Sequence, residues 1–152
     1  IYAEFPKLLE RSGNFSKGSI TGVYTVLVEG DDTNEPISDT VRGILDGHIV
    51  LNRQLANENH FPAIDIGASI SRLMVDLVSD KHRYAASRLR NMLGVYQKNA
   101  DLISIGAYKR GNNNALDEAV LKIDRINSFL RQEINESFEY EEVLGLMNDI
   151  IE

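Results

Sequence analysis

The chain has 152 residues, 43% of them hydrophobic and 26% charged, with a formal net charge of -7 and no cysteine. That length suits about one domain, or one domain with a small appendage. The composition excludes a disulfide framework and thiolate chemistry, and offers no broad basic field to a nucleic acid or an anionic membrane.

Residues 3–11, AEFPKLLER, are predicted to form a short helix with Leu8 and Leu9 inward, followed by a loop, SGNFSKGS. SITGVYTVLVEG is rich in β-branched residues, and from Val23 to Val28 nearly every residue is apolar or aromatic, which predicts a strand buried on both faces of a parallel sheet. An acidic, turn-rich stretch, EGDDTNEP, follows. Pro36 suits the first turn of a helix over ISDTVRGILDG, with Ile37, Val41, Ile44 and Leu45 on one side and Gly47 as the stop. HIVLN reads as a second strand, RQLANENH as a short helix and FPAID as a third extended piece. Strands and helices alternating in this way mark a parallel α/β layer.

After Met74 the pattern turns helical. A long amphipathic helix is predicted from about Tyr84 to Ile105, with Leu89, Met92, Leu93, Tyr96, Ala100 and Ile103 at helical spacing. GAYKRGNNNA interrupts it, and Asn114 or a neighbour caps the next helix, which aligns Leu116, Val120, Ile123, Ile126 and Leu130. A last helix covers about 139–151. The two parts, 1–78 and 79–152, are expected to be separate domains, α/β and then α-helical. No apolar run reaches the roughly 20 residues of a membrane span. The opening at Ile1, with neither a signal peptide nor a starting Met, reads as interior sequence, so the chain is expected to be a piece of a longer polypeptide.

Several chemistries lack their residues. In GNFSKGSI, Gly13 and Gly18 have the spacing of a phosphate-binding loop, and Ser19 stands near. Such a loop needs a lysine after its second glycine, and here Lys17 precedes Gly18 and a strand follows. Glu29, Asp31, Asp32 and Glu35 are clustered carboxylates that could attract a hard cation, but the EF-hand pattern is absent and a solvated loop explains them as well. His48, His60 and His82 have no zinc spacing, and no Gly-x-Ser-x-Gly elbow exists.

Arg72, in FPAIDIGASISRLM, opens an apolar run where packing alone gives little reason for a charge. One reading is a surface arginine that pairs with a nearby acid such as Asp76, four residues along the same predicted helix. The alternative is an arginine finger, a planar and permanently charged fork for phosphate oxygens, acting on a site formed elsewhere.

The strings GSITGVYTVLVEGDDTNEPISDTVRGILDGHIVLNRQLA and FPAIDIGASISRLM resemble the C-terminal half of the catalytic subunit of rotary-type ATPases. ADLISIGAYKRG and RINSFLRQ bring the likeness to the flagellar and type III secretion export ATPases, across almost the whole chain. The resemblance implies the distal part of a RecA-like parallel-sheet nucleotide-binding core, followed by an α-helical C-terminal domain. It implies a homohexameric ring that hydrolyses ATP with Mg between subunits, the phosphate cradle and metal ligands lying upstream. Ser69, Ile70, Ser71 and Arg72 match the family's S-x-S-R string, which makes Arg72 the finger offered to the neighbouring subunit's γ-phosphate. Phe61 matches the aromatic that stacks on adenine. Tyr140 best matches a second adenine aromatic, with Phe138 as its rival.

Asp31, Asp32, Asn34 and Glu35 fall in the loop that grips a central coiled-coil stalk. The resemblance further implies export chaperones, cargo and an export gate as partners, no nucleic acid, and a cytoplasmic place at the membrane export apparatus. Alone, the chain would be inactive and would expose a sheet face that makes it marginally stable or self-associating. Two other functions fit parts of the pattern: a non-catalytic rotary ATPase subunit, and a stand-alone module binding a stalk or chaperone.

Overall fold

A computed structural model describes residues 4–28 and 36–152. They form two compact units, Ile1–His48 and Ile49–Glu152.

In the first unit, helix α1 (Glu4–Leu9) precedes a hairpin of β1 (Gly13–Phe15) and β2 (Gly18–Ile20). The strands pair antiparallel, Gly13 with Ile20 and Phe15 with Gly18. The stretch read as a loop is therefore a hairpin with Ser16 and Lys17 at its turn, and Gly18 takes a φ of 95°, where a side chain would be strained. Val23–Val28 corrects another expectation. It joins no ladder among the described residues, and Val23 and Leu27 are each 92% exposed. Apolarity on both faces predicted burial, but burial needs sheet neighbours and covering layers, which these residues do not provide. Helix α2 (Pro36–Ile44) starts at the expected proline. Among this unit's described residues, Leu9 and Val41 are the buried hydrophobic ones, joined by Ser38.

Strand β3 (Gly47–Leu51) runs into the second unit, where α3 (Arg53–Asn57) and β4 (Ile64–Ser71) follow. β3 and β4 are hydrogen-bonded neighbours. Asn52 caps α3 through a bond from the Gln54 amide, and its own amide donates to the Ala63 carbonyl at 2.9 Å. The third extended piece thus begins later than predicted and runs on through GASIS.

The helical part begins with the short α4 (Met74–Leu77). Helix α5 (Asp80–Lys98) starts earlier than its apolar stripe, because the Ser79 hydroxyl accepts the His82 amide. The long helix predicted to Ile105 breaks at Asn99, whose side chain donates to the Val95 carbonyl at 2.8 Å and competes with helix continuation. A separate α6 (Ala100–Ser104) follows, then α7 (Asn114–Leu130) and α8 (Tyr140–Ile151). Asn113, beside the predicted cap, accepts the Ala115 and Leu116 amides.

Ala85, Leu89 and Met92 of α5 meet Ala119 and Ile126 of α7 and Met147 and Ile150 of α8 in one core. The Arg88–Glu118 pair, with Nη2 2.6 Å and 2.7 Å from the two carboxylate oxygens, ties α5 to α7. Its hydrogen bond is the main reason the Glu118 carboxyl titrates below its usual range. No described helix is long and apolar enough to cross a membrane.

Candidate functional site

Arg72 is exposed, one residue beyond β4 and two before α4. The expectation that it shares a helix with Asp76 is therefore corrected: the chain is extended up to Ser71, and Asp76 belongs to the short turn that follows. β4 holds its approach to Arg72 with side chains. The Ser69 hydroxyl donates to the Asp65 carbonyl at 2.6 Å and accepts the Val50 amide at 2.9 Å. One Asp65 carboxylate oxygen accepts the Ala68 amide and the other the Asn52 side chain. The first serine of the SISR string is thus a structural tie between neighbouring strands. Beyond Arg72, Leu73, Val75 and Leu77 are 43%, 58% and 75% exposed, an apolar surround for a charged group.

Phe61 lies before β4, preceded by the buried His60 and half exposed itself. Its carbonyl accepts the Gln132 amide at 2.9 Å, so the FLRQ end of α7 meets the FPAID segment. Next to it, a cavity of about 630 Å³ opens between the start of β4 and the ends of α7 and α8. Pro62, Ile64, Phe129, Phe138 and Leu146 give it apolar walls, and Gln132 stands at its polar edge. Its size and mixed lining suit a flat heteroaromatic group. Glu136 shapes the loop beside it, its carboxylate accepting the Glu133 amide and its carbonyl the Gln132 side chain. Tyr140 stands at the first turn of α8, 60% exposed, with its hydroxyl 3.2 Å from His82 Nδ1 and the two rings 6.2 Å apart. Phe138 thus lines the cavity, while Phe61 and Tyr140 are both absent from the lining, and Tyr140 contacts α5. Gln132, seen in the sequence only as part of a family string, binds the Phe61 backbone.

Asp31, Asp32, Asn34 and Glu35 lie outside the described residues. Among the described residues, no group of three or more His, Cys, Asp or Glu side chains could hold a metal ion. At the far end of the helices, Asp117 accepts the Tyr108 hydroxyl at 2.6 Å and the Gly111 amide at 2.8 Å, pinning the GAYKRG loop to α7. These two bonds, Tyr108 first, lower the Asp117 carboxyl, and the same bond raises the Tyr108 phenol.

Comparison with known proteins covers nearly the whole chain. Residues 1–71 match the ATP synthase alpha/beta family, nucleotide-binding domain, and residues 78–149 match the T3SS EscN ATPase C-terminal domain. The flagellum-specific ATP synthase of Bacillus subtilis (strain 168) is 49% identical over 150 residues, which are 99% of this chain and 34% of that protein. Among solved structures, the assembled ATPase EscN of the enteropathogenic E. coli type III secretion system superposes with a TM-score of 0.97. It is 44% identical, over 99% of this chain and 37% of that one. EscN in complex with its central stalk EscO gives a TM-score of 0.90 at 42% identity, over 99% and 36%. The chain spans about a third of the length of the curated relatives it matches.

Proposed function

Because the chain belongs to the ATP synthase alpha/beta family, in its flagellar and type III secretion ATPase branch, we propose that it is the C-terminal part of an export ATPase. In this reading the parent hydrolyses ATP at the subunit interfaces of a homohexameric ring and energises flagellar or type III protein export. Residues 1–78 complete the nucleotide-binding core, and residues 79–152 form the helical domain.

The observation that carries the proposal is the setting of Arg72. It is exposed at the end of a strand whose last residues are fixed by Ser69 and Asp65, and it is followed by exposed apolar residues. That setting suits a guanidinium that reaches across a subunit boundary. Its role is electrostatic: it neutralises charge gathering on the γ-phosphate as the bond to the leaving oxygen breaks. Phe61 stacks on the adenine of its own subunit's nucleotide. Tyr140 is the second aromatic by its spacing, but the cavity wall favours Phe138 in that place. The phosphate cradle and the magnesium ligands are assigned to the rest of the parent polypeptide.

The partners follow from the same reading. A central coiled-coil stalk meets Asp31, Asp32, Asn34 and Glu35, and the helical domain faces export chaperones, cargo and the export gate at the cytoplasmic side of the export apparatus. The test is Arg72→Ala in the full-length parent. Turnover per assembled ring is expected to fall by roughly a thousandfold or more while ATP still binds. Unchanged turnover in intact rings would refute the assignment.

A further inference from the structure

The side chains of β4 fix the approach to Arg72, but the segment after it has little local support. The four-residue α4 after it begins at Met74, and Leu73 at its N-cap offers no side-chain cap. Short turns of this kind are marginal without tertiary contacts. Those contacts come from one face of α5. Arg90 Nη2 donates to the Ser69 carbonyl at 3.3 Å, and Arg83 Nη1 donates to the Val75 carbonyl at 3.2 Å. Ser69 stands three residues before Arg72 and Val75 three after it. Arg83 and Arg90 are seven residues apart on a continuous helix, about two turns, so they emerge on one side of it. That helix is fixed in turn, by the Ser79 cap and by Ala85, Leu89 and Met92 in the core.

Resting on Arg72 as the finger, we infer that Arg83 and Arg90 are its positioning residues. They hold both flanks of the Arg72 segment against α5, so the helical part of the chain decides where the guanidinium is presented. Each bond runs from a charged donor to a backbone carbonyl, which strengthens it, but each is exposed. One alone would let the segment pivot about the other; two bracket the arginine from both sides. Arg83 is itself steadied by its pair with Asp80. The arrangement matters because transition-state stabilisation is steeply sensitive to where a charge stands.

The experiment uses the full-length parent as an assembled ring. Arg83→Ala, Arg90→Ala and the double variant are each made with Arg72 intact and with Arg72→Ala, and kcat and KM for ATP are measured. With Arg72 intact, each single change is expected to lower kcat several-fold, and the double change by roughly ten- to a hundredfold, with KM unchanged. In the Arg72→Ala background the same changes should cost nothing further, because the group they position is gone. Arg90→Lys, which keeps a charged donor, should recover most of the loss. Equal losses in both backgrounds, or an unchanged kcat in the double variant, would overturn the inference. If Arg72→Ala alone leaves kcat unaltered, it is the finger that fails. Should the double variant not assemble, the two single variants are read by the same criteria.

Discussion

The helices of the Ile49–Glu152 unit bury their apolar faces on one another, whereas the Ile1–His48 unit leaves much of its apolar surface in solvent. In the former, Met92 and Ile126 are fully buried in a core that α5, α7 and α8 build themselves. In the latter, Phe15 is 52%, Ile20 57%, and Val23 and Leu27 each 92% exposed. The difference lies in how the two kinds of element satisfy themselves. A helix closes its backbone bonds within its own residues and needs only a neighbouring stripe for its side chains. An apolar strand needs partners at both edges and a layer on each face, drawn from distant sequence.

The largest effect that could break this contrast is chemical. The 152-residue chain by itself is expected to show no ATP turnover, since its sequence carries no phosphate-binding loop with a lysine after the second glycine; measurable hydrolysis by the purified chain would contradict it.

Next in size is packing. Ile126→Ala should destabilise the helical core by about 2–5 kcal/mol, read as a lowered denaturant midpoint. Val23→Ser and Leu27→Ser should change the stability by no more than about 0.5 kcal/mol, while reducing self-association in sedimentation. If the serine changes cost as much as Ile126→Ala, the exposed segment is packed after all.

The helix ends give a smaller effect. Asn113→Ala should cost about 1 kcal/mol by leaving the Ala115 and Leu116 amides uncapped.

The smallest is a pH dependence confined to the helical unit. The Tyr108 hydroxyl and then the Gly111 amide lower Asp117, and the Arg88 hydrogen bond lowers Glu118. Both carboxyls bind protons less readily when folded. Their stabilisation is therefore complete above the ordinary carboxylate range near pH 4 and disappears as pH falls through and below it. The melting temperature should be flat from roughly pH 7 to 5 and fall below about 4, less steeply in Asp117→Asn. A melting temperature that rises on acidification would contradict this.

The helical part was legible because its signals are local. The stripe through Leu89, Met92, Ile123 and Ile126 marks the core, and the asparagine run marks the start of α7, while the Ser79 cap that starts α5 earlier went unread. The break at Asn99 was hidden, since apolar spacing continues across it and the side-chain bond that ends the helix has no periodicity. The β1–β2 hairpin was hidden because two three-residue strands around glycines carry no alternation. Arg72 could be singled out by its apolar setting, but its role came from the family likeness, and the helix shared with Asp76 was a wrong reading of local pattern. Arg83 and Arg90 could not be found at all. Their partners are backbone carbonyls, eight and 21 residues away, and a carbonyl has no residue identity to read.

A mixed-ring experiment asks most directly whether Arg72 serves a neighbour's nucleotide. Parent subunits with Arg72→Ala are co-assembled with subunits whose phosphate cradle is inactivated. Neither should turn over ATP alone. Mixed rings should regain activity, because a cradle on the first kind then meets an intact Arg72 from the second. Rings shown to contain both kinds, yet as inactive as either alone, would mean that Arg72 does not act across the subunit boundary.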